Sequence, residues 1–570
     1  MRPSLRTFLA ILGLSLGLLA PAVALSPSQE VALFSGGSKA CSKLVQSCTT
    51  GYTYYVNSAT GNNSNVGTSF GSPLKDVTSL PSITAGQSVC LEAGSSWRQQ
   101  LTVANNDVTV GGCGTGSKPI LDASDVIANA SLTADGSGAY FTASITFIQG
   151  GQPAWINVFE TGGPGDSSTG QFLANVASQA LCDSTPGSYY VPGLTGTNMP
   201  TAAAIYIHPT DSSNAITNGY LYEFSNRRGG LYSTGLRTTV ANLEGRKNSG
   251  NDGAIELEAQ GGSYTVNNVI ARDGNKHSMF VSSGSSVKNS LFINSYYAGN
   301  YGGLLVLFDQ VGQNLSSTLI NNIFQLDQKV DSLNSISAFI SHTGSGTMGP
   351  VAENNSWYIA KNEATLSGTG LANVSSHTAN GTNGSNVKTL FSPYVNTTIN
   401  NAHGVTNYGN YSTFAQFGAS GITVTFNNPQ FCYNSGTINS SNAYYFIAGN
   451  VSVVINGGIT YIAGSMYYYM GDGGSAPNGI NLTVNSHTFD GTQGGSTAYY
   501  FTGSGGVFAG GQAGNANSYN TAKITQWLFN NTNKITLAAW QAFVSPQDSA
   551  AITTGNGLPA CTLPTIPTVN

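Results

Sequence analysis

Charge is scarce in this chain of 570 residues, with only 8% Asp, Glu, Lys or Arg, so the place where it gathers is the first place to look for chemistry. Between Glu223 and His277 stand Arg227, Arg228, Arg237, Glu244, Arg246, Lys247, Asp252, Glu256, Glu258, Arg272, Asp273 and Lys276. Arginines grip carboxylates in bidentate fashion. A uronate gripped in this way has part of its charge offset, which acidifies the proton on the neighbouring carbon. A Lys or His beside it removes that proton, and the glycosidic oxygen leaves by β-elimination. Arg246 and Arg272, with Arg227 and Arg228 near them, are the candidate clamps for an acidic polysaccharide. Lys276 and His277 are the candidate catalytic bases. The competing reading is a salt-bridge ladder, with two stacked arginines neutralised by Asp273 and Glu244. Hydrolysis would instead need two carboxylic acids flanking the scissile bond, and Asp252 with Glu256 or Asp273 could supply them.

The elements that must position these residues are short strands separated by Gly, Asn and Ser turns. Val240-Ala241-Asn242-Leu243 recurs as Val266-Asn267-Asn268-Val269 and then as Val287-Lys288-Asn289-Ser290, at intervals of 26 and 21 residues. A second apolar strand follows each: Ala254-Ile255-Glu256-Leu257, Met279-Phe280-Val281 and Leu304-Leu305-Val306-Leu307. A unit of this length cannot bury its apolar face alone, so the units must stack as coils. Alignment of the coils sets Arg246 beside Arg272 and Lys247 beside Asp273, roughly 4.8 Å apart. It also sets Asp252 near Lys276 and Gly253 near His277. Cys90 and Cys113 have coil spacing, as do the tyrosine runs beginning at Tyr444 and Tyr467.

Near the start stand Tyr54-Tyr55-Val56-Asn57, Gly61-Asn62-Asn63-Ser64-Asn65, Pro73-Leu74-Lys75 and Ala85-Gly86-Gln87-Ser88-Val89-Cys90-Leu91. Gly94-Ser95-Ser96-Trp97-Arg98 and Lys118-Pro119-Ile120-Leu121-Asp122 follow. Over residues 50–125 this run resembles the opening of secreted proteins of the pectate-lyase-like superfamily. The resemblance implies an all-β fold, a right-handed parallel β-helix or solenoid. That fold carries lyases, hydrolases, epimerases and non-catalytic adhesins, so the resemblance fixes architecture and not activity. Calcium assists many lyases of this fold, and Asp252 and Glu256, with Glu258, offer oxygen ligands for it.

The expected organisation is a signal peptide at 1–24, an N-terminal cap and first coils at 25–125, an inserted antiparallel β module at 126–232, parallel coils at 233–525, and a C-terminal helix and tail at 526–570. Within the module, Ala143–Ile148, Trp155–Phe159, Gly187–Val191 and Ala204–His208 read as antiparallel strands. In the tail, Thr536 caps a short helix whose apolar face holds Leu537, Trp540 and Val544.

Arg2 and Arg6, the apolar run to Ala20 and the small residues Ala22-Val23-Ala24 form the secretory signal. Its removal takes two arginines, moving the formal charge from -5 to -7. That balance argues against nucleic acid as a partner, and no later segment is apolar enough for stable membrane insertion. Seven cysteines suit an oxidising compartment. Cys41 with Cys48, and Cys432 with Cys561, are further candidate pairs. The expected protein is an extracellular or periplasmic monomer acting on a polysaccharide, with β-elimination as the leading reaction. A non-catalytic glycan-binding adhesin and a glycoside hydrolase are the alternatives.

Overall fold

In a computed structural model, the chain passes through three parallel sheets in fixed rotation, one strand in each sheet per coil. The structure describes residues 42–554 apart from a series of interruptions, the longest at 309–316, 327–337, 360–387, 434–441, 472–480, 503–512 and 540–551. Residues 43–570 form one unit. Among the described residues, the first and second sheets have 13 strands each and the third has 11. One coil shows the pattern: Thr239–Ala241 in the first sheet, Glu244–Arg246 in the second, Ile255–Leu257 in the third, then Thr265–Asn267 back in the first. Cys48 is buried and disulfide-bonded; the signal peptide, Cys41 and Cys561 lie outside what is described, so neither further pairing is seen.

Burial of one residue per strand builds the stack. In the first sheet, Val89, Val110, Val240, Val266, Val287 and Leu319 are consecutive register partners. All six are fully buried. The register continues through Ile399, Phe426, Ile455 and Val484. Branched side chains favour strands because they pack on a pleated surface, and each one buried contributes about 1.5–3 kcal/mol.

The tight corner between first and second sheets is an asparagine position. Asn242, Asn268, Asn289, Asn321, Asn401 and Asn428 all have positive φ, near 50–57°. Asparagine tolerates this left-handed conformation better than most residues. Its amide also bonds from coil to coil: Asn268 Nδ2 donates to Asn242 Oδ1 at 2.8 Å, and Asn321 Nδ2 to Asn289 Oδ1 at 3.2 Å. A second amide ladder runs up the strand ends, through Asn400, Asn427, Asn456 and Asn485, with bonds of 2.7–3.0 Å.

Cys90 and Cys113 are disulfide-bonded between the adjacent first-sheet strands Ser88–Glu92 and Thr109–Cys113. The tyrosine runs also align, Tyr444 with Tyr468 and Tyr499 in the third sheet.

The rotation is interrupted after Asp122. Antiparallel pairs then join Ser124–Ile127 to Leu221–Ser225, and Leu221–Ser225 to Val158–Thr161. A second small sheet contains Ser188–Tyr190, Tyr206–His208 and Tyr140–Phe141. Ile156, Leu173, Tyr189, Ile207, Tyr222 and Phe224 lie in the core of this region. Its two ends are tied together, since Asn226 N and Arg227 N both donate to Ala123 O at 3.1 Å.

A short helix, Gln179–Ser184, also lies here among the strands. Ser178 caps it, accepting from Leu181 N at 3.3 Å. In the tail, Thr536 Oγ1 accepts from Ala539 N at 3.1 Å, the geometry of a helix cap. The remainder of that helix is outside the described residues. Among those residues, no helix is long and apolar enough to cross a membrane.

Candidate functional site

Two groups of ionisable side chains lie where the chain leaves and rejoins the coils. The first is on the second sheet. There Arg246 is the register partner of both Asp122 and Arg272, so the two arginines occupy neighbouring rungs. Arg246 Nε donates to Asp122 Oδ2 at 2.8 Å, and its Nη1 lies 3.6 Å from Glu244 Oε1. Arg272 Nε donates to Asp273 Oδ2 at 2.8 Å. Glu223, on the strand Leu221–Ser225, receives both Arg98 and Lys247. The Lys247 ammonium also lies 4.9 Å from the centre of the Phe159 ring.

These groups are deeply placed: Asp122 and Asp273 are 0% exposed, and Lys247 and Glu223 only 1%. Arg98, Arg246, Lys247 and Arg272 set four positive charges against those of Asp122, Glu223, Glu244 and Asp273. Such balance is what burial demands, because an unpaired charge in a low-dielectric interior is costly. Burial raises the Asp122 pKa, but Arg246, Lys247 and Arg98, helped by the Ser124 hydroxyl, outweigh it and hold the carboxyl below its ordinary value. Burial wins at Glu244, which is raised despite Arg272 and Arg246.

The chain's own carboxylates therefore take the places that a uronate was expected to fill at Arg246 and Arg272. Arg227 behaves in the same way, with Nη2 2.7 Å from Asp125 Oδ1. This is the ladder arrangement. Arg246 and Arg272 belong to the second sheet, Lys276 is in the turn beyond it, and His277 begins the third-sheet strand His277–Ser282. His277 is 7% exposed, with its ring 6.3 Å from that of Phe280. Lys276 has φ 62°, Lys247 59° and Asp273 53°. Aspartate shares asparagine's tolerance of this left-handed conformation, but lysine does not, so the backbone is strained at Lys247 and Lys276. The register pairs Ile255 with Met279, and a Cβ at Gly253 would lie nearest Phe280 N, at 2.9 Å. Asp252 is outside the described residues.

The second group lines the outer row of the third sheet. Leu231 and Ser233, and Ile255 and Leu257, point inward and are fully buried. Alternation then turns Tyr232 and Glu256 outward, and the register runs Thr102, Tyr232, Glu256, Phe280. Arg228 spans this row. Its Nε donates to both oxygens of Glu256 at 2.9 Å, and its Nη2 contacts Glu256 and, at 2.7 Å, Glu258 Oε2. The guanidinium lies 4.3 Å from the centre of the Tyr232 ring, and the Tyr232 hydroxyl donates to Glu258. Burial opposes the Arg228 charge, but Glu256 and Glu258 hold its pKa above the ordinary value. Glu256 is 0% exposed, while Arg228 and Glu258 keep side-chain exposures of 32% and 27%.

Glu256 is the buried carboxylate of this row. A guanidinium, engaged on both of its oxygens, supplies the compensating charge. Among the described residues, no three His, Cys, Asp or Glu side chains are grouped to hold a metal ion. Tyr232 was absent from the sequence-based candidates. Its signal was available, since it precedes Glu256 by the same 24 residues that separate Glu256 from Phe280.

No family model matches this sequence, and no curated protein does. Among solved structures, the chain is similar to XylC in complex with xylose, at 10% identity over 82% of this chain and 74% of that one, with a TM-score of 0.43. A glycoside hydrolase is similar at 9% identity, over 86% and 98%, with a TM-score of 0.33. The gp54 tailspike of Acinetobacter baumannii bacteriophage AP22, in complex with capsular saccharide, is similar at 9% identity, over 75% and 74%, with a TM-score of 0.27. At these identities and scores, any activity must be argued from the site itself.

Proposed function

We propose that this chain is an extracellular carbohydrate-active protein built as a right-handed parallel β-helix, and that a saccharide lies across the outer third-sheet row at Arg228, Tyr232 and Glu258. One observation carries this reading: a partly exposed guanidinium, stacked on a tyrosine ring and held flat by two carboxylates. Planar side chains fixed in this way present donors and acceptors at spacings suited to vicinal hydroxyls, and preorganisation lowers the cost of binding. The right-handed sense follows from the strong preference of parallel crossovers for that hand. Secretion is supported by the apolar N-terminal segment and by the Cys90–Cys113 disulfide. The proposed layout keeps the module at 126–232 between the first coils and the long coil run.

Binding to a glycan array, with Tyr232→Ala and Arg228→Lys compared against the parent chain, tests the surface. Each substitution is expected to weaken binding about tenfold, the scale of one lost charged hydrogen bond. Unchanged binding in both would remove the site.

Hydrolysis is the second reading, favoured by one further feature. Glu256 and Glu258 reach the same guanidinium nitrogen, so their nearest oxygens are within about 6 Å, two hydrogen-bond lengths. Retaining hydrolases separate their carboxyls by about 5–5.5 Å. Release of reducing ends without ultraviolet-absorbing product would support it. An unsaturated product lost on substituting Lys276 or His277 would instead establish β-elimination.

A further inference from the structure

The geometry points to an ester-hydrolysing active site in the antiparallel region, apart from the proposed saccharide surface: Ser212 as nucleophile, His208 as general base and the Cys182 carbonyl as the group that orients the base. The His208 imidazole is 5% exposed, and its Nε2 lies 3.1 Å from Ser212 Oγ. Its other nitrogen, Nδ1, lies 2.8 Å from the Cys182 carbonyl oxygen. A carbonyl can only accept, so Nδ1 carries the hydrogen and Nε2 is left as the acceptor for the serine proton. A nucleophile hydrogen-bonded to a base that a third group orients is the general arrangement of an activated hydroxyl.

Three further features separate this pair from a chance surface contact. Ser212 is exposed, and its φ is 58°, a conformation that serine rarely adopts. The loop holding that conformation is fastened on both sides. Thr210 N donates to the buried Glu160 at 3.2 Å, Ser213 N to Asp211 Oδ1 at 2.9 Å, and the Tyr220 hydroxyl to Asp211 Oδ2 at 2.6 Å. Gly138, which has φ 119°, packs beside the imidazole and closes it in against Asp183. A Cβ there would meet the Asp183 carbonyl oxygen at 2.7 Å and His208 Cε1 at 3.4 Å.

The same sheet suggests the substrate class. Phe141, Tyr206 and Tyr190 are register partners across three adjacent strands, with ring centroids 5.4 and 5.9 Å apart, and all are half-buried. Tyr206 and His208 lie two residues apart on one strand and so share a face. Aromatic rows offer apolar surface to sugar rings. The substrate is thus a short-chain acyl ester of a sugar hydroxyl, an assignment that rests on the carbohydrate reading above.

In the reaction, Ser212 Oγ bonds to the acyl carbon as its proton passes to His208 Nε2. The ester C–O bond then breaks, and that proton leaves on the released alcohol. Water gives a proton to Nε2 and its hydroxyl to the acyl carbon. The bond to Oγ breaks, and the proton returns to Ser212. The products are a carboxylic acid and an alcohol, with no change in oxidation state.

The test uses the full chain with p-nitrophenyl acetate, an acetylated oligosaccharide and a fluorophosphonate label. Expected are turnover of the small ester, a label mapped to Ser212, and loss of about a thousandfold in rate for Ser212→Ala, whose exposed position leaves folding intact. Absence of turnover together with absence of label at Ser212 overturns the site, as does full turnover in Ser212→Ala. Because the small ester contains no sugar, that result stands apart from the carbohydrate reading. Preference for the acetylated oligosaccharide supports the substrate class, and equal use of both overturns that class alone.

Discussion

The coils at residues 396–490 and the coils beside the antiparallel region follow the same three-sheet path but solve the problem of burial differently. In the former, the first-sheet strand ends and the corners after them are neutral: Asn400, Asn427, Asn456 and Asn485 pass hydrogen bonds from rung to rung, and Asn401, Asn428, Gly457 and Ser486 turn the chain. Beside the antiparallel region the first-sheet corners are still asparagines, Asn242 and Asn268, but the second-sheet rungs carry Asp122, Arg246 and Arg272, and the corner after them carries Lys247 and Asp273. Amide ladders need only like neighbours and can repeat. An ion network needs complementary partners, and here it draws one of them, Glu223, from outside the coils. The difference teaches that a regular stack can be self-sufficient, whereas a stack that accepts a packed neighbour acquires specific, charge-dependent joints.

That contrast can be broken most sharply at Glu223. Glu223→Ala leaves the buried Lys247 ammonium without its carboxylate and is expected to cost about 3–5 kcal/mol, read by denaturant unfolding. Lys247→Met with Glu223→Gln, which removes both charges, should recover much of that loss. No recovery would mean that shape, rather than charge, makes the joint.

Next in size is a pH effect that separates the two regions. His487 is fully buried, with Nδ1 2.7 Å from Gly457 O and Nε2 2.9 Å from Thr460 Oγ1. Burial first, opposed by the Gly457 bond, brings its pKa down to about 4. The unfolded chain therefore takes up a proton at a pH where the folded chain does not. The stability this confers is present above about pH 6.5 and is lost as pH falls towards 4, on the order of 3 kcal/mol. Asp122 is also depressed when folded, so its contribution persists above about pH 4 and is lost only as pH falls below that. Hydrogen exchange should show the coils near His487 loosening first on acidification. Simultaneous loosening of both regions would contradict the assignment.

The smallest expected effect is at a single corner. Asn428→Ala puts a Cβ residue without asparagine's local hydrogen bonding at φ 51° and should cost about 1–2 kcal/mol. Asn428→Gly should cost less. The reverse order would show that the amide, and not the backbone angle, holds the corner.

Much of the coil run can be read from the sequence because its contacts are local and repeated. Val240, Val266 and Val287 announce the inward row, and Asn242, Asn268 and Asn289 announce the corner that follows it. The same spacing sets Arg246 beside Arg272. What spacing cannot show is a partner brought from elsewhere. Asp122 meets Arg246 across 124 residues, and Arg98 meets Glu223 on a strand that belongs to no coil. Without those partners the arginines look available for a substrate. The helix Gln179–Ser184 is similarly hard to foresee, because six residues are too few to establish a helical period. Ser212 and His208 carry no recognisable motif, and only the folded loop brings them together.

The parallel ladders also determine how the chain would bear load. Every bond between rungs points along the stack, so a pull at its two ends would act on one coil at a time, and the force would stay near that needed to peel a single coil. A pull across the stack would instead share tension among many ladders at once. The Cys90–Cys113 bond covalently clamps two early rungs of the first sheet, so peeling cannot run through that end while it is intact. Axial tension should therefore ravel the molecule from its far end, and reduction of one bond should open a second place for failure to begin.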